Sequence, residues 1–109
     1  QNDRRCKSEE MRFEILAEAN FDLAECLQYY LDEFTPMTAD RFAQTVDRCY
    51  DEILDAPFRL VPDKKGVRRK PIKGFPEHSI SYIVSGELIE VVAFRHHKRR
   101  PGFWENRLR

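Results

Sequence analysis

The stretch Ser79-Ile80-Ser81-Tyr82-Ile83-Val84-Ser85-Gly86-Glu87-Leu88-Ile89-Glu90-Val91-Val92-Ala93-Phe94 decides the fold. Both arms are rich in β-branched and aromatic residues, which pack well on a pleated surface, and Ser85-Gly86-Glu87 between them is a Gly-bearing turn. The pattern predicts a β-hairpin with strands at 79–84 and 88–94. Upstream, Gly74-Phe75-Pro76 breaks the chain, and Val67 to Ile72 reads as a further short strand. Pro71 cannot donate to a ladder, so that strand belongs at an edge or a bulge. Phe58 to Lys65, with Pro62 and an Asp-Lys-Lys-Gly turn, is a loop.

Towards the N-terminus the period changes. Leu23, Leu27, Tyr30 and Phe34 recur at i, i+4, i+7 and i+11, a helical face that stops before Thr35-Pro36 because the residue preceding proline is pushed out of the helical region. A second helix is expected after Thr38 as N-cap, with Asp40 in its first turn and Phe42, Val46, Cys49, Tyr50 and Ile53 as its apolar stripe, ending at Pro57. The short link forces an antiparallel helical hairpin, whose stripes need another layer to bury against. Arg12-Phe13-Glu14-Ile15-Leu16 alternates charged and apolar residues, the period of a half-buried strand. The expected fold class is therefore α+β, in the order β-α-α-β-β-β, with a helical hairpin packed on one face of a small, mainly antiparallel sheet and the other face open.

A chain of 109 residues and 13.0 kDa fits one domain. Residues 1–10 are polar throughout and read as a flexible leader, with Met11 a plausible start and 11–109 the domain. The longest apolar run, Leu88 to Phe94, is interrupted by Glu90 and falls well short of the roughly 18 residues that span a bilayer. Neither membrane insertion nor a secretory signal is expected, and the expected location is cytoplasmic. Cys6, Cys26 and Cys49 are odd in number and widely spaced, which disfavours both a disulfide framework and a zinc site. Cys26 and Cys49 read as small buried hydrophobes.

The formal net charge of zero hides a division. Met11 to Ala56 holds three basic residues against eleven acidic, and Pro57 to Arg109 thirteen basic against five acidic. The basic half is where an acidic partner or polyanion would bind. Its densest part is Arg95-His96-His97-Lys98-Arg99-Arg100, followed by Phe103 and Trp104, cations and rings that suit phosphates, carboxylates and partner pockets. Arg68, Arg69, Lys70 and Lys73 form a second group. Arg68 and Lys70 share one strand face and Arg69 the other, and the two groups merge if the edge strand and the tail share a sheet face. Phe103 and Trp104 either pack back on the sheet as a lid or anchor a partner. His96 and His97, adjacent in an extended segment, point to opposite faces and chelate one metal poorly, so neither a metal nor a cofactor is expected. As a nuclease the chain would use His96 or His97 as general base on a 2′-hydroxyl and Arg99 to stabilise the phosphorane. No Gly-rich phosphate loop, paired carboxylates or Ser/His/Asp set can be assembled from the remainder.

Three strings then carry a resemblance: Phe75-Pro76-x-x-Ser79-Ile80-x-Tyr82-x-Val84, Glu87-Leu88-Ile89-Glu90-Val91, and Ala93-Phe94-Arg95-His96-His97-Lys98-Arg99-Arg100-Pro101-Gly102-Phe103-Trp104. Together they resemble the C-terminal half of the RelE/ParE toxin superfamily, in particular its ParE-like plasmid-stabilisation branch. Ala17-Glu18-Ala19 and Tyr29-Tyr30 are also similar to the family, and the likeness runs from Met11 to Arg107. It implies the same β-α-α-β-β-β fold. It also implies a bacterial toxin of a type II toxin–antitoxin pair, held in a hetero-oligomer by a small ParD-like antitoxin whose C-terminal segment wraps it.

Members divide between ribosome-dependent mRNA cleavage and inhibition of DNA gyrase. The cleaving members rely on basic residues on the sheet, an arginine after the last strand and a tyrosine near the C-terminus. Arg99 matches that arginine, but Ser79 stands where the sheet arginine would be, and Phe103 or Trp104 replaces the tyrosine with a ring that exchanges no proton. The expected activity is therefore that of a binding toxin directed at gyrase. An mRNA interferase acting on ribosome-bound message is the alternative, and a small nucleic-acid-binding domain a second. The residues expected to meet target or antitoxin are Arg68, Arg69, Lys70, Lys73, Arg95, His97, Lys98, Arg99, Arg100, Phe103 and Trp104, and the antitoxin is expected there or across the helical hairpin.

Overall fold

A computed structural model describes residues 11–96. The element order is β1 (Arg12–Ile15), α1 (Ala17–Glu33), α2 (Pro36–Asp55), β2 (Arg68–Pro71), β3 (His78–Ser85) and β4 (Leu88–His96). One four-stranded sheet runs β1-β4-β3-β2, with β1 parallel to β4 and the other pairs antiparallel. The α+β arrangement expected from sequence is the one found, and β2, which carries Pro71, lies at the edge. Ser85 pairs with Leu88, so the hairpin turn is Gly86-Glu87, and Gly86 holds φ +60°, the left-handed value that tight hairpin turns require.

The helices start and pack differently from the sequence expectation at three points. The N-cap of α2 is Thr35, not Thr38: its Oγ1 accepts from the Thr38 N–H at 3.1 Å, and Pro36 opens the first turn. Proline costs nothing there, because its missing N–H would have no intrahelical acceptor and its φ already fits. The helices are thus joined by Phe34 and Thr35 alone. Along α1 the buried line is Ala19, Asp22, Cys26 and Tyr30, flanked by half-buried Leu23 and Leu27, while Phe34 is 54% exposed. The stripe of α2 is buried as expected, with Phe42, Val46, Cys49, Tyr50 and Ile53 joined by Leu54. Removing the cap with Thr35→Ala is expected to cost about 1 kcal/mol, read as a lower urea midpoint, with Thr35→Ser close to the parent.

The core lies between the helical hairpin and one sheet face, where Ile80, Tyr82, Ile89, Val91 and Phe94 meet Phe42, Val46, Tyr50 and Ile53. In β3 and β4 the register jumps: Ser81 faces Ala93 and Tyr82 faces Val91, which leaves Val92 as an extra residue. This bulge turns both Val92 and Ala93 to the face away from the helices. There they form a second, small cluster with Val67, against which Leu16 and Ile83 pack, so that face is not bare. Beyond the bulge the alternation is reset, and Phe94 and His96 point towards the helices. The strand also runs two residues further than its hydrophobic pattern indicates, through Arg95 to His96.

Candidate functional site

Directly opposed residues of neighbouring strands share a sheet face, which sorts the two basic groups. Arg68 opposes Tyr82 and Lys70 opposes Ile80, both core residues, so these cations lie on the helix side. Arg68 donates to the carbonyls of Leu60 and Phe58, and its guanidinium sits 5.2 Å from the Phe58 ring centroid. With Tyr82 Oη donating to the Pro57 carbonyl at 3.0 Å, it fastens the loop after α2 to the sheet. Lys70 Nζ lies 2.6 Å from the Glu52 carboxylate of α2. The hydrogen bond from Lys70 holds the Glu52 carboxyl below its ordinary value.

Arg69 opposes Ser81, and Arg95 opposes Ser79, both on the far face. Arg69 Nη2 lies 3.7 Å from Asp63. Partial burial pushes the Asp63 carboxyl up, but hydrogen bonds from the Val67 and Lys65 N–H groups, with Arg69 adding, outweigh it and leave the carboxyl below its ordinary value. Among the described residues, Arg69 and Arg95 are the members of the two basic groups that share the far face, while Arg68, Lys70 and Lys73 belong to the helix side and the edge beyond β2. His97, Lys98, Arg99, Arg100, Phe103 and Trp104 lie outside the described residues.

The histidine that ends β4 has an inward environment. The His96 ring packs edge-on against His78 at 4.5 Å and Tyr29 at 5.5 Å between centroids, and its Nε2 lies 3.7 Å from the Glu77 carboxylate. His78 is buried, and its Nδ1 shares a 2.8 Å hydrogen bond with Tyr30 Oη. Burial, ahead of the nearby Cys26, Tyr29 and Glu77, drives the Tyr30 phenol well above its ordinary value, so it stays protonated. Asp22, also buried, accepts from the Phe94 N–H at 3.2 Å. These groups tie α1 to the last turn of sheet before the basic run.

Sequence reasoning missed Asp22, Tyr30 and His78 as a polar set. The signal was present for Asp22, since Ala19, Asp22, Cys26 and Tyr30 at i, i+3, i+7 and i+11 form a helical stripe of their own, masked by one carboxylate. Cys26 and Cys49 are buried free thiols, and burial raises the Cys49 thiol above its ordinary value. Among the described residues no group of three His, Cys, Asp or Glu is placed to hold a metal ion. Among them also, no helix is long and apolar enough to cross a membrane.

Fold and site together define a small α+β domain, a helical hairpin on a four-stranded sheet, whose last strand precedes a basic segment in the sequence. The profile of the ParE toxin of the type II toxin–antitoxin system parDE matches residues 13–101, most of the chain. The chain belongs to that family and is a type II toxin, the toxin half of a toxin–antitoxin pair. Among solved structures, the chromosomal ParDE toxin–antitoxin system from P. aeruginosa is similar, with a TM-score of 0.70 at 17% identity over 80% of this chain and 96% of that one. No curated protein matches the chain.

Proposed function

We propose that this toxin blocks growth by binding DNA gyrase in the cytoplasm, without catalysis, and that a cognate antitoxin neutralises it in a hetero-oligomer. The observation that carries this reading is the match to the ParE family profile over residues 13–101. The environment of His96 supports it. A general base for RNA cleavage must reach a substrate hydroxyl, whereas this ring lies towards the helices against His78, Tyr29 and Glu77 with its side chain 18% exposed. Ser79, at the position where cleaving relatives place an arginine, sits opposite Arg95 on the far face and offers no acid or base.

On this reading the target meets the far face and the segment beyond it: Arg69, Arg95, His97, Lys98, Arg99 and Arg100, with Phe103 and Trp104 as anchors. The antitoxin has a second surface available at the turn of the helical hairpin, where Leu31, Phe34 and Met37 are exposed. An amphipathic segment would bury those side chains. The test is purified toxin in a gyrase supercoiling assay beside a translating-ribosome assay with primer extension on the mRNA. Supercoiling is expected to be inhibited and the message to stay intact, with inhibition relieved by antitoxin. Codon-phased cuts that disappear in Arg99→Ala, with supercoiling untouched, would establish the mRNA interferase instead. Salt-sensitive binding to naked DNA without either effect would leave the nucleic-acid-binding domain.

A further inference from the structure

Lys70 and Lys73 do not share a surface with Arg69 and Arg95. They enter a cleft of about 370 Å³ between α2 and the end of β2, whose α2 wall supplies Thr45, Arg48, Cys49 and Glu52. At its centre the Lys70–Glu52 pair is closed at 2.6 Å, and the Lys70 side chain is only 18% exposed. Arg48 and Lys73 are different: neither lies within ion-pair distance of a carboxylate among the described residues. Cys49 Sγ donates to the Pro71 carbonyl at 3.7 Å, and the neutral thiol leaves the base of the cleft uncharged. Three cations against one carboxylate thus converge in a concavity on a helix whose other exposed charges are mostly acidic, Asp40, Asp47, Asp51 and Asp55 against Arg41.

We propose that this cleft is a docking site for a short acidic segment of a protein partner, whose carboxylates pair with Arg48 and Lys73. Charge complementarity selects an anion. Two features select carboxylate side chains over a nucleic acid strand. Among the described residues no aromatic ring lines the cleft, so bases find nothing there to stack on. The four exposed aspartates of α2, which outnumber its one other exposed cation, Arg41, also repel a polyanion laid along the helix, while a single side chain can enter between Arg48 and Lys73. The site is separate from the far-face surface assigned to the target, and it stands whether or not that target is gyrase.

The test is ¹⁵N–¹H NMR of the full chain titrated in parallel with a capped tetraglutamate peptide, an oligothymidylate and inorganic phosphate. Tetraglutamate is expected to give saturable shifts at Thr45 to Cys49 and at Lys70, Ile72 and Lys73. Arg48→Gln/Lys73→Gln is expected to weaken that binding about tenfold, since two charge-assisted contacts are lost. Both side chains are at the surface, so its spectrum should stay native elsewhere, and Lys73→Gln alone provides a milder variant. Replacing Lys98, Arg99 and Arg100 by Gln should leave the cleft shifts in place. The proposal is overturned if those shifts are absent, if they survive in both cleft variants, or if oligothymidylate or phosphate produces them at lower concentration than the peptide.

Discussion

Phe42→Ala should lower the free energy of unfolding by about 4 kcal/mol, a large share of the 5–15 kcal/mol that holds a domain of this size together. Phe42 has no exposed surface, and its ring meets Tyr30 at 4.8 Å and Phe75 edge-on at 5.0 Å, with His78 at 5.5 Å. Loss of the ring therefore removes contacts to α1, to the segment before β3 and to β3 itself. The cavity cannot readily collapse, because Tyr30 Oη is tethered to His78 Nδ1 at 2.8 Å and would have to give up that bond to move in. Where the surroundings relax poorly, the cost falls in the upper part of the large-to-small range. Phe42→Leu keeps most of the volume and should cost about 1–1.5 kcal/mol. Denaturant unfolding followed by circular dichroism, with an unchanged m-value, makes the measurement. A loss under 1.5 kcal/mol for the alanine variant would mean that the aromatic cluster does not organise the junction of hairpin and sheet.

How much of this was legible in the sequence follows from which signals are local. The α2 stripe, the β3–β4 hairpin and the edge position of β2 were readable, because helical period, a Gly-bearing turn and a proline in a strand each act within a few residues. The bulge was not. Val91-Val92-Ala93-Phe94 is uniformly apolar, so nothing in its pattern marks which residue is extra, and the reversal of faces beyond it had no local sign. That one residue decides that His96 turns inward to His78 and Arg95 outward beside Ser79. The division of the basic groups was half legible. Alternation separated Arg69 from Arg68 and Lys70, but which face meets the helices depends on β2 pairing with β3 at Arg68–Tyr82, a contact between distant residues. The N-cap was missed for a different reason: Thr35 and Thr38 are both good caps, and only the tolerance of proline in a first turn favours the earlier one.

The inward and outward sides of the sheet thereby acquire different work. On the helix side, Arg68, Lys70 and His96 are tied to the loop carbonyls, to Glu52 and to the Glu77–His78 pair. These ties fix where loop, α2 and the end of β4 lie. On the far side the described strands present three cations: Arg95, half-buried beside Ser79, Arg69, which already has Asp63, and Arg12 on β1, which already has Glu14. A surface that binds a macromolecule needs more than three cations of which two are already paired, so on the proposed reading most of its strength comes from the run that follows His96. What the described residues determine is how firmly the end of β4, from which the sequence continues into that run, is held.

Asp22→Ala tests that hold, with an expected loss of about 2–4 kcal/mol. β1 ends at Ile15, and its last ladder contact is the Leu16 N–H to the Val91 carbonyl at 3.0 Å. Beyond it, the β1 side of β4 has no strand partner among the described residues, and the Phe94 N–H would be buried without an acceptor from them. Asp22 Oδ2, 3.2 Å away and on the helix that packs across this point, supplies one. Only 3% of Asp22 is exposed, so the alanine variant removes the fixed acceptor from a largely desolvated donor. Asp22→Asn retains an acceptor oxygen and should recover about half of the loss. The distinguishing measurement is amide hydrogen exchange: in Asp22→Ala the protection of Phe94 and His96 should fall by more than that of Ile80, which is held by β2 and β4 from both sides. Uniform loss across the sheet would make Asp22 a general contributor to stability. Unchanged protection at Phe94 would show that the end of β4 is secured by the His78–His96 contact and not by the carboxylate.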